Sequence, residues 1–337
     1  MSSTPFFPVL FVAFAALCVS ACGGGGAGSD PPAPTGPDLA ARGNAATATA
    51  QNNAACSGIR PFYWEIGDRS QRLAGASINQ AGNATTYDAH SEMAIASASK
   101  WLYGAYVAER RQGTLTAEDV QFLNFTSGYT RFAAIGDCFP GDTVGECAAR
   151  GDNDIAVPAH VGKFYYNGGH MQQHASLPGG MNLGAMDNAA LAAELRRLLG
   201  SDIQLSFGQP QLAGGVRTTA ADYARFLRKV LGNELRIAAL LGSHKVCTNP
   251  ASCAGAISTP ITNGLDWHYS IGHWVEDDAA RSDGAFSSAG AFGFYPWVDA
   301  GKTWYGIVAR SGTTGGGNES AECGALIRKA WVTGAAQ

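Results

Sequence analysis

Strand-like segments lie at both ends of this sequence, and a long stretch without them separates the two groups. Near the N-terminal end, "FYWEIGD" (62–68) and "RLAGASI" (72–78) are short runs joined by a turn. Near the C-terminal end, strand patterns return over 269–276, 291–299 and 303–310, the last two joined by a hairpin turn. The pattern predicts an α+β fold in which an antiparallel sheet is built from both chain ends.

The remaining segments have the periodicity of helices. One helix is expected from Ser97 to about Gln112, and the clearest helices of the middle section cover 188–200 and 218–232. A last helix is expected from about Ser320 to Trp331. The sequence therefore predicts terminal helices that flank the sheet and an inserted, mainly helical region over about 115–245.

The first residues resemble a bacterial export signal. Phe6 to Val19 is an apolar run too short to span a bilayer comfortably, and it ends in small residues. The following "VSAC" resembles a lipobox, in which cleavage after Ala21 would leave Cys22 to be lipidated. A plain signal-peptidase site after Ala21 is the alternative. Either way, residues 1–21 are predicted to be a signal peptide.

Residues 22–55 are rich in Gly, Pro, Ala and Asn, and almost no large apolar side chain occurs among them. Such a segment cannot bury enough surface to become ordered, so the sequence predicts a flexible, lipoprotein-type linker. The folded domain is expected to span 56–337.

The composition indicates a globular protein and argues against nucleic-acid binding. The chain of 337 residues is 46% hydrophobic and 15% charged, and its formal net charge is −4. This is the profile of a globular protein with a large core. Its Lys and Arg residues are scattered along the sequence, so nothing indicates a nucleic-acid partner.

Cysteine spacing indicates disulfides. Apart from Cys18 in the export signal and Cys22 at its end, the sequence has six cysteines, and an even number in an exported protein favours disulfides over a metal site. No Cys-x-x-Cys or His-x-x-x-His spacing suggests zinc, and no metal or other cofactor is expected. Two pairs are close in sequence and the third is what remains, so the expected bonds are Cys138–Cys147, Cys247–Cys253 and Cys56–Cys323.

The first candidate catalytic residues are Ser97 and Lys100 in "AIASASKWLYGAY". A serine hydroxyl needs a base to become nucleophilic, and a Lys three residues later on a helix lies on the same face. Taken alone, the pair also fits a helix-capping serine followed by a surface lysine. The chemical interpretation therefore depends on further elements.

Two later segments provide such elements. In "GKFYYNGGH", Tyr165 could relay a proton and Asn167 could hold a substrate carbonyl. In "SSAGAFGFYPWVD" (287–299), small residues let a substrate lie close to the chain, and an N–H group there could form an oxyanion hole with the N–H of Ser97. An aromatic loop and a Gly-rich edge strand are the plain structural alternatives.

The order of these elements resembles the serine β-lactamase and penicillin-binding-protein superfamily, specifically class C β-lactamases, D-alanyl-D-alanine carboxypeptidases and related esterases. The resemblance covers about 60–332, and "LAGGVRTTAADYARFL" and "YSIGHWV" are also similar to family segments. It implies a β-lactamase/transpeptidase-like fold. The roles it implies are nucleophile for Ser97, base for Lys100, proton relay for Tyr165 and substrate-contacting amide for Asn167.

Ser288-Ala289-Gly290 falls where the family has Lys or His, a small residue and Gly, and the Ala291 N–H is the expected second oxyanion donor. Ser288 departs from the family pattern because a cation there helps to bind the substrate carboxylate. This departure favours an ester or amide substrate that carries less charge than the carboxylate-bearing substrates of the family.

The sequence thus predicts an exported serine hydrolase that forms an acyl-enzyme on Ser97 and cleaves a small ester, amide or peptide. It is expected in the bacterial cell envelope, facing the periplasm or exterior and held to the membrane by lipid on Cys22. A true β-lactamase or D-alanyl-D-alanine carboxypeptidase is one alternative, and a non-catalytic binding or sensing protein of the same fold is another.

Overall fold

The computed structural model describes residues 36–133, 136–312 and 316–337. The predicted signal peptide, Cys22 and the linker up to residue 35 lie outside these described residues. The described strands, in chain order, are β1 (Phe62–Gly67), β2 (Arg72–Ile78), β3 (Met93–Ala94), β4 (Phe164–Tyr165), β5 (Leu205–Phe207), β6 (Val216–Thr218), β7 (Val246–Cys247), β8 (Ala256–Ser258), β9 (His268–Ser270), β10 (His273–Glu276), β11 (Ala285–Ser287), β12 (Tyr295–Val298) and β13 (Tyr305–Ala309).

The described helices surround these strands. They are α1 (Leu39–Asn52), α2 (Ala54–Ser57), α3 (Ser99–Arg110), α4 (Ala117–Leu123), α5 (Val144–Ala149), α6 (Gly169–Ser176), α7 (Asn188–Leu199), α8 (Ala220–Leu231), α9 (Ile237–Leu240) and α10 (Gly317–Thr333). Short 3₁₀ turns lie at Ala96–Ala98 and Pro158–His160.

The main sheet has eight strands in the order β2-β1-β13-β12-β11-β10-β9-β7, and all its neighbours are antiparallel. Strand β1 pairs with β2 on one side and with β13, the last described strand of the chain, on the other. The predicted sheet built from both chain ends is therefore confirmed. Two small sheets, β3-β6-β5 and the parallel pair β4-β8, lie in the inserted region and next to it.

Helices pack on both faces of the main sheet. Tyr305 and Val308 lie three residues apart in β13, so their side chains project from opposite faces. Arg228 of α8 donates to the Tyr305 hydroxyl on one face. On the other, Arg328 of α10 donates to the hydroxyl of Tyr295, the β12 residue paired with Val308. The sheet therefore lies between α8 and α10.

A helix replaces part of the predicted linker, and the prediction of a flexible segment is wrong for 39–52. Asp38 caps α1 by accepting from the Ala41 N–H. Small side chains of α1 are buried against α10, and Arg42 donates to the Trp331 carbonyl. Alanine has the highest helix propensity and packs without large side chains, so counting large apolar residues underestimates the order of this segment.

The single strand predicted over 269–276 is two strands, β9 and β10, joined by a two-residue turn. Ile271 and Gly272 have φ values of +39° and +81°, the left-handed conformation that two-residue hairpins require. Asn124 holds the turn because its Oδ1 accepts from the Ile271 N–H at 2.6 Å. An Ile in a left-handed position is unusual, and this explains why the apolar pattern concealed the turn.

Three disulfides link the described residues, and they are the pairs predicted from the sequence: Cys56–Cys323, Cys138–Cys147 and Cys247–Cys253. The first joins α2 to α10, near the two ends of the described domain. Within the described ranges, no helix has both the length and the apolar character needed to cross a membrane.

Candidate active site

The segment that carries Ser97 is a 3₁₀ turn immediately before α3. Ala96 has a φ of +44°, a conformation that costs energy for a residue with a side chain. The surroundings hold it in place: the Ser99 Oγ donates to the Ala96 carbonyl at 2.7 Å, and the Ile95 N–H donates to the Val216 carbonyl at 3.0 Å. Strained backbone of this kind is common at functional sites, and here it precedes the predicted nucleophile.

Lys100 lies one turn further along α3, as the predicted pair requires. Its Nζ lies 2.9 Å from the Ser97 Oγ and donates to the Ala213 carbonyl at 2.7 Å. The side chain is buried, and among the described residues no carboxylate forms an ion pair with it. Burial lowers the pKa of Lys100 from its ordinary value to about 7. A neutral amine next to a serine hydroxyl can accept its proton.

This pKa leads to a pH prediction. The rate of acylation should rise with pH through about 7, because only neutral Lys100 can take the Ser97 proton. The measurement is kcat/KM for a neutral aryl ester, whose own charge does not change over this range. A rate independent of pH around neutrality would contradict the assignment of Lys100 as base.

The lowered pKa of Lys100 also makes the free energy of unfolding depend on pH. The unfolded chain binds a proton on Lys100 up to about pH 10.5, whereas the folded chain releases it above about 7. The free energy of unfolding should therefore rise with pH across this window through Lys100. Comparison with Lys100→Met, which lacks the group, isolates this contribution.

Tyr166, and not the predicted Tyr165, lies at the site. The Lys100 Nζ is 4.9 Å from the centre of the Tyr166 ring, and Tyr166 lines the same cleft as Ser97. Burial raises the pKa of Tyr166 to about 12, although a hydrogen bond with the Ser97 side chain lowers it. The Tyr165 ring instead stacks on His160 at 5.1 Å. Neighbouring residues of an extended segment face opposite sides, so only one of the two tyrosines can face Ser97.

His170 holds the main chain just before Tyr166. Its Nδ1 lies 2.7 Å from the Ser127 Oγ and its Nε2 lies 3.0 Å from the Tyr165 carbonyl. Burial lowers the pKa of His170 to about 3, so the ring is neutral at ordinary pH. A neutral ring that donates through Nε2 must accept from Ser127 through Nδ1. His170 therefore has a structural role beside the cleft.

Asn167 lines the cleft, as predicted, but much of its amide is engaged by the protein. Its Nδ2 donates to the Phe132 carbonyl at 2.9 Å, and its Oδ1 accepts from the Gly169 N–H at 2.8 Å. These bonds hold the Phe132 segment against the start of α6. Contact between Asn167 and a substrate stays a prediction.

The third predicted element lies between β11 and β12. Ser288 is buried, and its Oγ donates to the Ser97 carbonyl at 3.0 Å, so this side chain supports the nucleophile's main chain instead of lining the cleft. Gly290 packs so closely that a Cβ would collide with the Ile95 carbonyl. Ala291 lines the cleft. Of the three residues, only Ala291 is therefore placed for substrate contact.

Two main-chain N–H groups at the cleft are available. Within the described ranges, neither the Ser97 N–H nor the Ala291 N–H has a hydrogen-bond partner, and both residues line the cleft. Free N–H groups next to a nucleophile are the donors from which an oxyanion hole is made. The prediction that these two form the hole is compatible with this geometry.

The cleft has a volume of about 780 Å³ and mostly apolar walls. Phe132, Phe139 and Phe292 provide aromatic surface, and the last two are about half exposed. Lys100 and Arg217 are the charged side chains among the described lining residues, and no acidic side chain is among them. The cleft therefore suits a small ligand with an apolar body and no positive charge.

Sequence reasoning missed Tyr166 and Arg217. The adjacent tyrosines in "FYYN" were a signal that either one could be the relay. Arg217 lies in "LAGGVRTTAADYARFL", where the local pattern does not distinguish a side chain that lines a cleft from one that faces solvent.

The fold is that of the serine β-lactamase and penicillin-binding-protein superfamily, as the resemblance implied. The β-lactamase/D-alanine carboxypeptidase from Yersinia pestis, solved with citrate, has a TM-score of 0.60 at 14% identity over 88% of this chain and all of that chain (100%). EstCE1, a hydrolase with promiscuous acyltransferase activity, has a TM-score of 0.59 at 13% identity over 87% of this chain and 98% of that one.

An octameric penicillin-binding-protein homologue from Pyrococcus abyssi has a TM-score of 0.55 at 13% identity, over 82% of this chain and 74% of that one. No protein-family model and no curated protein matches the sequence. Identities this low establish the fold alone, so the activity has to be argued from the residues at the cleft.

Proposed function

We propose that this protein is a serine hydrolase that forms an acyl-enzyme on Ser97 and cleaves an ester or amide bond of a small substrate. The observation that carries the proposal is the contact between Ser97 and Lys100. A buried lysine with a pKa of about 7 lies 2.9 Å from a serine hydroxyl in an open cleft. A capping serine followed by a surface lysine would not bury the amine.

In the first step, neutral Lys100 accepts the Ser97 hydroxyl proton while the Oγ bonds to the substrate carbonyl carbon. The N–H groups of Ser97 and Ala291 donate to the carbonyl oxygen as it becomes negative. The Tyr166 hydroxyl, in place of the predicted Tyr165, gives its proton to the leaving group as the bond between that group and the carbonyl carbon breaks, and it takes back the proton that Lys100 accepted from Ser97. Water then attacks the acyl carbon while neutral Lys100 accepts a proton from it. The bond between that carbon and the Ser97 Oγ breaks, the Oγ takes this proton from Lys100, and the acid departs.

We further propose that the protein is exported and anchored by lipid on Cys22 to a bacterial cell envelope. Three disulfides in the described domain support an oxidising compartment. The proposed partners are a small ester, amide or peptide substrate and, through the lipid, a membrane surface.

A rate panel tests the proposed activity. The purified protein is assayed on an aryl ester, a linear amide, a chromogenic cephalosporin and a D-Ala-D-Ala peptide, with Ser97→Ala as the blank. We expect turnover of the aryl ester, and mass spectrometry of the quenched reaction should locate the acyl group on the peptide that contains Ser97. Fast cephalosporin hydrolysis with little esterase activity would instead identify a β-lactamase. No turnover and no adduct would favour a non-catalytic binding protein.

A further inference from the structure

One wall of the cleft carries polar groups that the proposed acyl transfer does not use. We call Gln209, Gln211 and Arg217 the polar wall; all three line the cleft. Gln211 is only 5% exposed, and its Oε1 accepts from the Gln209 Nε2 at 2.9 Å. Among the described residues, the Nε2 of Gln211 has no partner, so the open cleft is the space left to it. This Nε2 is not among the enclosed polar atoms that lack a partner, so it is open to water or to a ligand in the cleft.

Arg217 supplies the charge of the polar wall. It lies in β6 opposite Ala94, three residues before Ser97, and the Ile95 N–H ties the two segments together through the Val216 carbonyl. This pairing fixes the position of Arg217 relative to the nucleophile. Lys100 is the other cation at the cleft, but its Nζ already contacts Ser97 and the Ala213 carbonyl.

The guanidinium of Arg217 is only partly used within the protein. Its Nε donates to the Glu92 Oε1 at 2.9 Å, and in the described part of the chain its two terminal nitrogens have no partner. Both side chains of this ion pair are about half exposed, so the pair itself contributes little to stability. The terminal N–H groups of an arginine match the two oxygens of a carboxylate.

We propose that Arg217 and Gln211 form a subsite for a carboxylate group of the ligand, while the aromatic side chains of the cleft contact its apolar body. That this ligand is a substrate rests on the proposed hydrolase function; the binding itself does not. The substrate class is then an ester or amide with an apolar body and a carboxylate away from the scissile bond. The β11–β12 segment lacks the family's cation because Ser288 stands in its place. Arg217 of β6 would supply a cation from another side of the cleft.

Binding to the Ser97→Ala variant tests the subsite without requiring turnover. Phenylbutyrate and its neutral amide, phenylbutyramide, differ only in the group that Arg217 would bind. Affinities are measured by calorimetry at about pH 8, where Lys100 is neutral because its pKa is about 7. Low ionic strength limits the screening of the charge on Arg217. We expect the acid to bind about tenfold more tightly than the amide.

Two variants on this background make the test specific. Arg217→Gln should reduce the ratio of acid to amide affinity to about one, and Glu92→Gln should increase it, because the competing carboxylate is lost. The matched control is Arg236→Gln, which breaks the ion pair between Arg236 and Glu109; neither residue lines the cleft. It should leave the ratio unchanged.

The proposal is overturned if the acid does not bind, if it binds no better than the amide, or if Arg217→Gln preserves the ratio. Failure of the hydrolase function has a different signature. In that case the acid preference would persist in Ser97→Ala while the wild-type protein turned over no ester.

Discussion

Ser97→Ala and Lys100→Met are each expected to lower kcat/KM for an aryl ester by about ten-thousandfold, and the double variant should be no slower than either single variant. The two groups act as one unit, because the base is useful only with the hydroxyl that it deprotonates. Their contact of 2.9 Å is the physical basis of this expectation. Initial rates of the three variants at one substrate concentration well below KM are sufficient to measure it.

Lys245→Met is the matched control for Lys100→Met. Lys245 is about half exposed, pairs with Asp277 and does not line the cleft, so its loss should leave the rate within about twofold. Thermal unfolding of each variant verifies folding. Lys100→Met should not be less stable than the wild-type protein near neutral pH, because it removes a buried amine. Losses that multiply in the double variant would show that the two residues act independently and would contradict the mechanism.

Tyr166→Phe is expected to lower kcat/KM by about a hundredfold or more, whereas Tyr165→Phe should change it by less than about threefold. Each substitution removes only a hydroxyl and keeps the ring, so packing is preserved in both. Tyr166 lines the cleft with Ser97, and its ring lies against the Lys100 Nζ, whereas the Tyr165 ring stacks on His160 outside the cleft. Parallel assays of the two variants therefore compare the position given by the structure with the one given by the family pattern.

A leaving-group series makes the comparison sharper. If Tyr166 delivers the proton to the leaving group, Tyr166→Phe should be most harmful for esters of weakly acidic alcohols and least harmful for aryl esters. The opposite ranking of the two variants, with Tyr165→Phe the slower, would restore the original prediction from the sequence.

The sequence alone predicts the main sheet and the Ser97–Lys100 pair, because both depend on patterns along the chain. Strand patterns at both chain ends predict the main sheet, and the spacing of Ser97 and Lys100 places both on one helical face whatever the surroundings. Two of the cysteine pairs are suggested by their short separations, whereas Cys56–Cys323 is the pair that remains, and spacing alone does not fix that connectivity. The Ser97–Lys100 spacing and the two short disulfides depend on distances along the chain that the sequence displays directly.

The features that the sequence did not reveal depend on tertiary contacts. Residues 39–52 become ordered because α10 and β2 offer surfaces on which small side chains pack. The turn at Ile271 depends on the amide of Asn124, far away in sequence. The choice between Tyr165 and Tyr166 depends on which side of an extended segment faces the cleft, and that is set by the pairing of β4 with β8. No window of sequence contains this information.

The pairing of β1 with β13 constrains the order in which the chain can acquire its structure. All six residues of β1 are buried, yet the partner on one side of the strand is about 240 residues later in the chain, and the Cys56–Cys323 bond spans 267 residues. During synthesis, the first strand pair must therefore wait with an open edge until nearly the whole domain has emerged. Native contacts between such distant segments form slowly, and open edges invite misassociation.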